Sequence, residues 1–106
     1  MPFLVDATDG PDGPALREAL RPRHLSYLEG RLDVLLGAGA KLGGDGRPFG
    51  SIYLLDTDAR DMVDSFMAQD PYVLHGVFAS MTVTRWRKGF FDHQRLVPRI
   101  DGEPAR

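Results

Sequence analysis

The chain has 106 residues, 42% of them hydrophobic and 26% charged, with 13 Lys and Arg against 15 Asp and Glu. A net charge of −2 argues against the strongly basic footprint of a nucleic-acid binder. The absence of cysteine removes disulfides, thiol nucleophiles and thiolate metal sites.

No apolar run approaches the roughly 20 residues needed to span a bilayer, so no membrane partner is expected. The opening Met1-Pro2-Phe3-Leu4-Val5-Asp6 lacks the basic and long apolar parts of a signal peptide, and a cytoplasmic protein of one domain is expected.

Taken in order, Phe3-Leu4-Val5 opens a strand, and Asp9-Gly10-Pro11-Asp12-Gly13-Pro14 closes it with turn chemistry. Pro14 suits the first turn of a helix, where its missing N–H costs nothing. Leu16 and Leu20, then Leu25, Leu28, Leu32 and Leu35, predict an amphipathic helix interrupted at Pro22. Gly37 and Gly39 are suitable stop residues. Residues 38–43 read as a short strand, Gly43-Gly44-Asp45-Gly46 as a hairpin turn, and Phe49 to Leu55 as a strand apolar on both faces. Thr57 or Asp58 can cap a second helix, with Asp61 in its first turn, where the helix dipole favours negative charge. Val63, Phe66 and Met67 line its buried face, and Asp70-Pro71 ends it. Val77 to Trp86 alternates as a strand does. From Asp92 the pattern is lost, which divides the chain into a domain over residues 1–91 and a tail over 92–106, flexible or partner-dependent.

The resulting order is β-α-β-β-α-β, an α+β, ferredoxin-like arrangement with two helices on one face of a four-stranded antiparallel sheet. The other face still carries apolar groups and needs a cover. A second copy packed sheet to sheet, a homodimer, is the expected partner.

Two motifs carry chemistry: Arg21-Pro22-Arg23-His24-Leu25 and Asp70-Pro71-Tyr72. Each sets a proton-handling side chain beside a proline, which locks its own φ and turns the preceding residue away from helix. His24 falls at the edge of the leucine stripe, with an apolar wall on one side and solvent on the other. Asp70 follows Phe66 by four residues and continues the buried face, where a carboxylate needs a partner. A carboxylate that fixes a histidine tautomer leaves the second ring nitrogen free for proton transfer. The bland readings stay open beside these: a boundary histidine bonded to backbone, and an aspartate that merely stops a helix.

Arg21 and Arg17 project to the side of His24, where Arg21 could bind an anionic substrate. Arg17 reads rather as part of a solvated helix face. Ser51 and Tyr72 could donate hydrogen bonds to a substrate oxygen, although both positions also suit structural roles.

His75 and His93 are weaker candidates. No short metal-ligand spacing such as His-x-x-x-His occurs, so no metal and no cofactor is expected. Gly43-Gly44-Asp45-Gly46 lacks the lysine and hydroxyl of a phosphate loop, and Arg85-Trp86-Arg87-Lys88 reads as a solvated strand end.

These residues together, with the Gly50-Ser51 strand opening, resemble the YciI-like (YCII-related) family over roughly residues 1–91. The resemblance implies a dimeric α/β barrel of ferredoxin-like subunits and an active site around a His and an Asp, which match His24 and Asp70 here. Some relatives are dehydrochlorinases of chlorinated aromatics, so the resemblance implies a cofactor-independent lyase or isomerase acting on a small aromatic or organic acid. The tail from Asp92 departs from shorter members. The alternative is a non-catalytic dimeric module that binds a small ligand or a protein, with the His–Asp pair as a tie between helices. An oxygen-dependent monooxygenase is a distant third, by analogy of fold alone.

Overall fold

The structure is a computed structural model that describes residues 1–105. Four strands, β1 (Phe3–Asp9), β2 (Leu35–Leu42), β3 (Pro48–Leu55) and β4 (Phe78–Arg85), form an antiparallel sheet in the order β2-β3-β1-β4. Helices α1 (Gly13–Glu29) and α2 (Arg60–Gln69), with the single turn α3 (Pro71–Leu74), pack on one face of it. This is the expected ferredoxin-like α+β arrangement.

Central β1 sets the two faces of the sheet. Phe3, Val5 and Ala7 point to the helices and are buried, and Val5 pairs with Tyr53 on β3 and Val83 on β4. The main core joins Phe3, Val5, Tyr53 and Leu55 to Leu28 of α1 and to Val63, Phe66 and Met67 of α2. A second cluster, Leu20, Tyr72 and Val77, sits under α3. The opposite face is mixed: Leu4, Ile52 and Leu54 are half-buried, while Lys41 Nζ binds Asp6 Oδ1 and Thr8 Oγ1, each at 2.8 Å.

Local structure departs from the sequence expectation in five places. The first helix ends at Glu29, so Leu35, Gly37 and Gly39, read as its last turn and stop, belong to β2 instead. α1 runs unbroken through Pro22. The proline deprives the Glu18 carbonyl of its intrahelical donor, but both residues are exposed and water can replace the lost bond.

The buried line of α1 is Leu20, His24 and Leu28, at i, i+4 steps, so His24 is on the buried face and not at its edge. Leu25, about 100° further round, is 46% exposed, and Leu32 lies beyond the helix and is 65% exposed.

α2 starts without a side-chain cap. Its N-cap is Ala59, whose N–H donates to Thr57 Oγ1 at 3.1 Å.

Beyond β4 a small hairpin forms, β5 (Phe90–Phe91) and β6 (Gln94–Arg95), turned by Asp92 and His93 at φ 52° and 61°. Two successive positive φ values in a two-residue loop match the right-handed twist of the strands it joins. Arg95 then holds Glu103 through two bonds of 2.7 Å.

Candidate active site

Three local devices bring polar side chains to one place. The i, i+4 step along α1 carries His24 down onto the sheet. On β3, Ser51 and Tyr53 share the helix-facing parity with Leu55. At Asp70 the backbone turns extended (φ −67°, ψ 126°), which ends α2 and points the carboxylate inward. Pro71 then starts α3 with Asp70 as its N-cap.

Asp70 has no exposed surface, and three donors meet it. His24 Nδ1 lies 2.8 Å from Oδ1, the Tyr72 N–H donates to the same oxygen at 2.9 Å, and the Tyr53 hydroxyl donates to Oδ2 at 2.7 Å. A buried carboxylate is tolerable only when paired in this way. With the amide donating to Oδ1 and the Tyr53 hydroxyl to Oδ2, a carboxylate that also accepts Nδ1–H from His24 satisfies every group around Asp70. Burial first, then the Asp70 charge and hydrogen bond, push the Tyr53 phenol far above its ordinary value and keep it neutral.

The second ring nitrogen of His24, Nε2, has no hydrogen-bond partner among the described residues. The imidazole lies on the Tyr72 ring, centroids 3.7 Å apart and planes 4° from parallel. Tyr53 meets its edge at 6.4 Å.

The other pole is Arg17, one turn before Arg21. Its Nε and Nη2 donate to Asp9 Oδ2 and Oδ1 at 2.6 and 3.0 Å, and Nη2 also donates to Ser51 Oγ at 2.8 Å. Its guanidinium carbon lies 5.2 Å from the Tyr72 ring centre and 5.7 Å from that of Phe78. Burial alone would lower the Arg17 pKa, but the Asp9 hydrogen bonds and charge outweigh it and hold the group above its usual value. Burial raises the Tyr72 phenol, partly offset by the charges of Arg17 and Arg21.

Between α1 and the β2–β3 half of the sheet lies a cavity of about 290 Å³, lined by His24, Arg17, Arg21, Ser51, Tyr53 and Tyr72 among others. It is near the lower end of small-molecule sites, large enough for one substituted ring. Arg21 is exposed, while His24, Ser51 and Tyr72 are buried in the wall. Asp70 sits behind His24 and does not line the space.

All five residues singled out from sequence therefore gather at one site. His75 and His93 do not line it and are exposed.

Arg17 corrects an expectation: it is not a solvated residue but the less exposed of the two cations lining the cavity, held there by Asp9. Sequence reasoning misses Asp9 and Tyr53. The parity of Tyr53, two residues after Ser51, was a usable signal. Asp9 lay hidden in what reads as turn chemistry.

The chain matches the YCII-related domain over residues 1–87. Among solved structures it is similar to 5-chloro-2-hydroxyhydroquinone dehydrochlorinase from Burkholderia phenoliruptrix AC1100, in complex with 2,5-dihydroxybenzoquinone. The two share 32% identity at a TM-score of 0.76, over 82% of this chain and 94% of that one. Rv0793 from Mycobacterium tuberculosis matches at 16% identity and a TM-score of 0.45, over 81% of this chain and 93% of that one. At that level it says nothing about the site. No curated protein matches at a significant level.

Proposed function

The chain belongs to the YCII-related family, and on that premise we propose that it is a lyase-type enzyme acting on a small oxygenated aromatic, without a cofactor. The observation that carries this reading is the arrangement of His24. Its Nδ1 is tied to a buried carboxylate, and its Nε2 is unengaged in a wall of a one-ring cavity. That is the form a general base takes, and one well-placed base contributes on the order of 10²–10⁴-fold. The similarity to a dehydrochlorinase supports the same class.

In such a reaction one hydroxyl proton of the substrate moves to the chlorine-bearing ring carbon, which becomes tetrahedral as a ring carbonyl forms. His24 Nε2 then removes a second hydroxyl proton, the O–H electrons form the other carbonyl, the ring double bonds shift, and chloride departs with the C–Cl bonding pair to leave the quinone. The products are the quinone, chloride and the proton held on His24, so no external oxidant enters the balance. Asp70 stabilises the imidazolium and keeps its orientation. Ser51, Arg21 and Tyr72 are the substrate contacts of this reading, with Ser51 free to donate its hydroxyl proton to a ring oxygen.

A homodimer packed sheet to sheet, in the cytoplasm, completes the proposal. Leu4, Ile52 and Leu54 support it, since they form the apolar part of the uncovered sheet face. The segment that follows residue 91 is proposed as a tail apart from the domain, flexible or dependent on a partner.

Purified protein is tested with 5-chloro-2-hydroxyhydroquinone, following chloride release and quinone absorbance. Release by the wild type, lost by at least about 100-fold in His24→Ala, is the expected result. Equal rates in the two proteins, or none in the wild type, would overturn it.

A further inference from the structure

Arg17 faces the cavity with no two-proton edge left to offer. A guanidinium can grip a carboxylate in parallel along two edges, Nε–Nη2 and Nη1–Nη2. Asp9 fills the first edge with bonds of 2.6 and 3.0 Å. Ser51 takes the remaining Nη2 proton at 2.8 Å and so closes the second. A ligand meets only Nη1 and the hydroxyl proton of Ser51, which accepts from Arg17 and donates to nothing among the described residues.

The Asp9 carboxylate is itself tightly placed, at the end of β1 and 5% exposed. A Cβ at position 13 would stand 2.6 Å from Asp9 Cβ and 2.7 Å from its Oδ2, so Gly13 leaves the room Asp9 occupies. The faces of Tyr72 and Phe78 keep the guanidinium in its plane.

We infer that Asp9 is a positioning residue that sets specificity: by closing the Arg17 fork, it makes the cavity accept a ligand through a single oxygen, a ring carbonyl or phenolate, and reject a carboxylate. A carboxylate gains no parallel pair of bonds there and meets the charge of Asp9 beside it. The inference rests on the reading of this cavity as a small-molecule site and specifies what that site takes.

The test uses 4-nitrophenolate and 4-nitrobenzoate at mildly alkaline pH, where both are anions on the same ring and differ in offering one oxygen or two. Calorimetric titration of the wild type is expected to show the phenolate bound at least about tenfold more tightly. Asp9→Asn removes the charge that closes the fork, and Gly13→Ala displaces Asp9 without removing it. Each is expected to move the ratio toward the benzoate by about tenfold or more. Repeating the titrations in Arg21→Gln, which is expected to weaken both probes, removes the exposed rim arginine as an alternative carboxylate holder. The affinity ratio is expected to persist, and its collapse there would assign the selectivity to Arg21 and overturn the inference. A merely structural Asp9–Arg17 tie would change stability and leave the ratio alone.

Equal binding of both probes by the wild type, or a ratio unmoved in both variants, overturns the inference and leaves the small-molecule reading standing. Binding of neither probe by the wild type overturns both. The wild-type ratio requires no variant, so a substitution that fails to fold does not blunt the test.

Discussion

The imidazole of His24 and the ring of Tyr72 lie face to face, 3.7 Å between centroids and 4° from parallel. The stack restricts rotation of the imidazole about its χ2, while Asp70 fixes the edge that points inward. Tyr72→Leu removes the flat support and is expected to reduce turnover about tenfold or more, since a small misplacement of a catalytic group is costly. Tyr72→Phe keeps the stack and loses the hydroxyl, with its long contact of 3.4 Å to the Arg17 carbonyl and the hydrogen bond it offers the substrate. Its kcat is expected to stay within about threefold of the wild type while KM rises, because a substrate contact made equally in ground and transition states acts on KM and the bond to the Arg17 carbonyl is at the weak end of the range. Steady-state kinetics on the pair separates stacking from hydroxyl chemistry.

Asp70→Asn keeps the shape of the side chain and removes its charge. The carboxamide cannot accept on both sides, so the three-donor arrangement around Asp70 is broken. We expect a loss of about 1–3 kcal/mol in denaturant unfolding. The ¹⁵N imidazole spectrum should show His24 as the Nδ1–H tautomer in the wild type and a mixture in the variant. A single unchanged tautomer in both would remove the orienting role of Asp70.

Alkaline stability should depend on Tyr53. Its folded-state pKa is raised by burial and by Asp70, so the native phenol holds its proton where the unfolded one releases it. The stabilisation is complete below the unfolded value of about 10 and is lost as pH rises through the folded value. One such group contributes a slope of up to about 1.4 kcal/mol per pH unit. Thermal unfolding between mildly and strongly alkaline pH should therefore fall more steeply for the wild type than for Tyr53→Phe.

Pro22 occupies an exposed interior position of α1 and removes one helix bond. An interior proline costs about 3 kcal/mol relative to alanine, discounted here because the helix already accommodates it. Pro22→Ala should raise stability by about 1–3 kcal/mol, measured by chemical unfolding. A destabilised variant would mean that the local geometry Pro22 imposes on His24, two residues on, is worth more than the bond.

The architecture is legible because the main elements carry local signals: turn chemistry from Asp9 to Pro14, alternation from Val77 to Trp86, a stop at Asp70-Pro71. His24 and Asp70 stood out for the same reason, a polar group next to a proline. What sequence could not resolve was the choice among faces separated by one residue. The leucines of α1 mark two overlapping stripes, and only the sheet beneath selects Leu20, His24 and Leu28 over Leu25. The Arg17–Asp9 pair joins the end of β1 to α1 across a turn, so its residues belong to different elements and no single periodicity reports it. The β5–β6 hairpin has two residues per strand, too few for any period to show.

Asp70 is at once the partner of His24, the acceptor for Tyr53 and the N-cap of α3. Evolution cannot adjust one of these duties at that position without disturbing the other two. Drift or laboratory selection that retunes the basicity of His24 must therefore act through residues that touch the aspartate from one side only. Tyr53 is the first of these, since its hydroxyl can be gained or lost while the backbone turn at Asp70 stays as it is. A mutational library confined to the cavity wall, with Tyr53 varied only to phenylalanine, would thus explore new reactivity at less cost to folding than one that includes position 70.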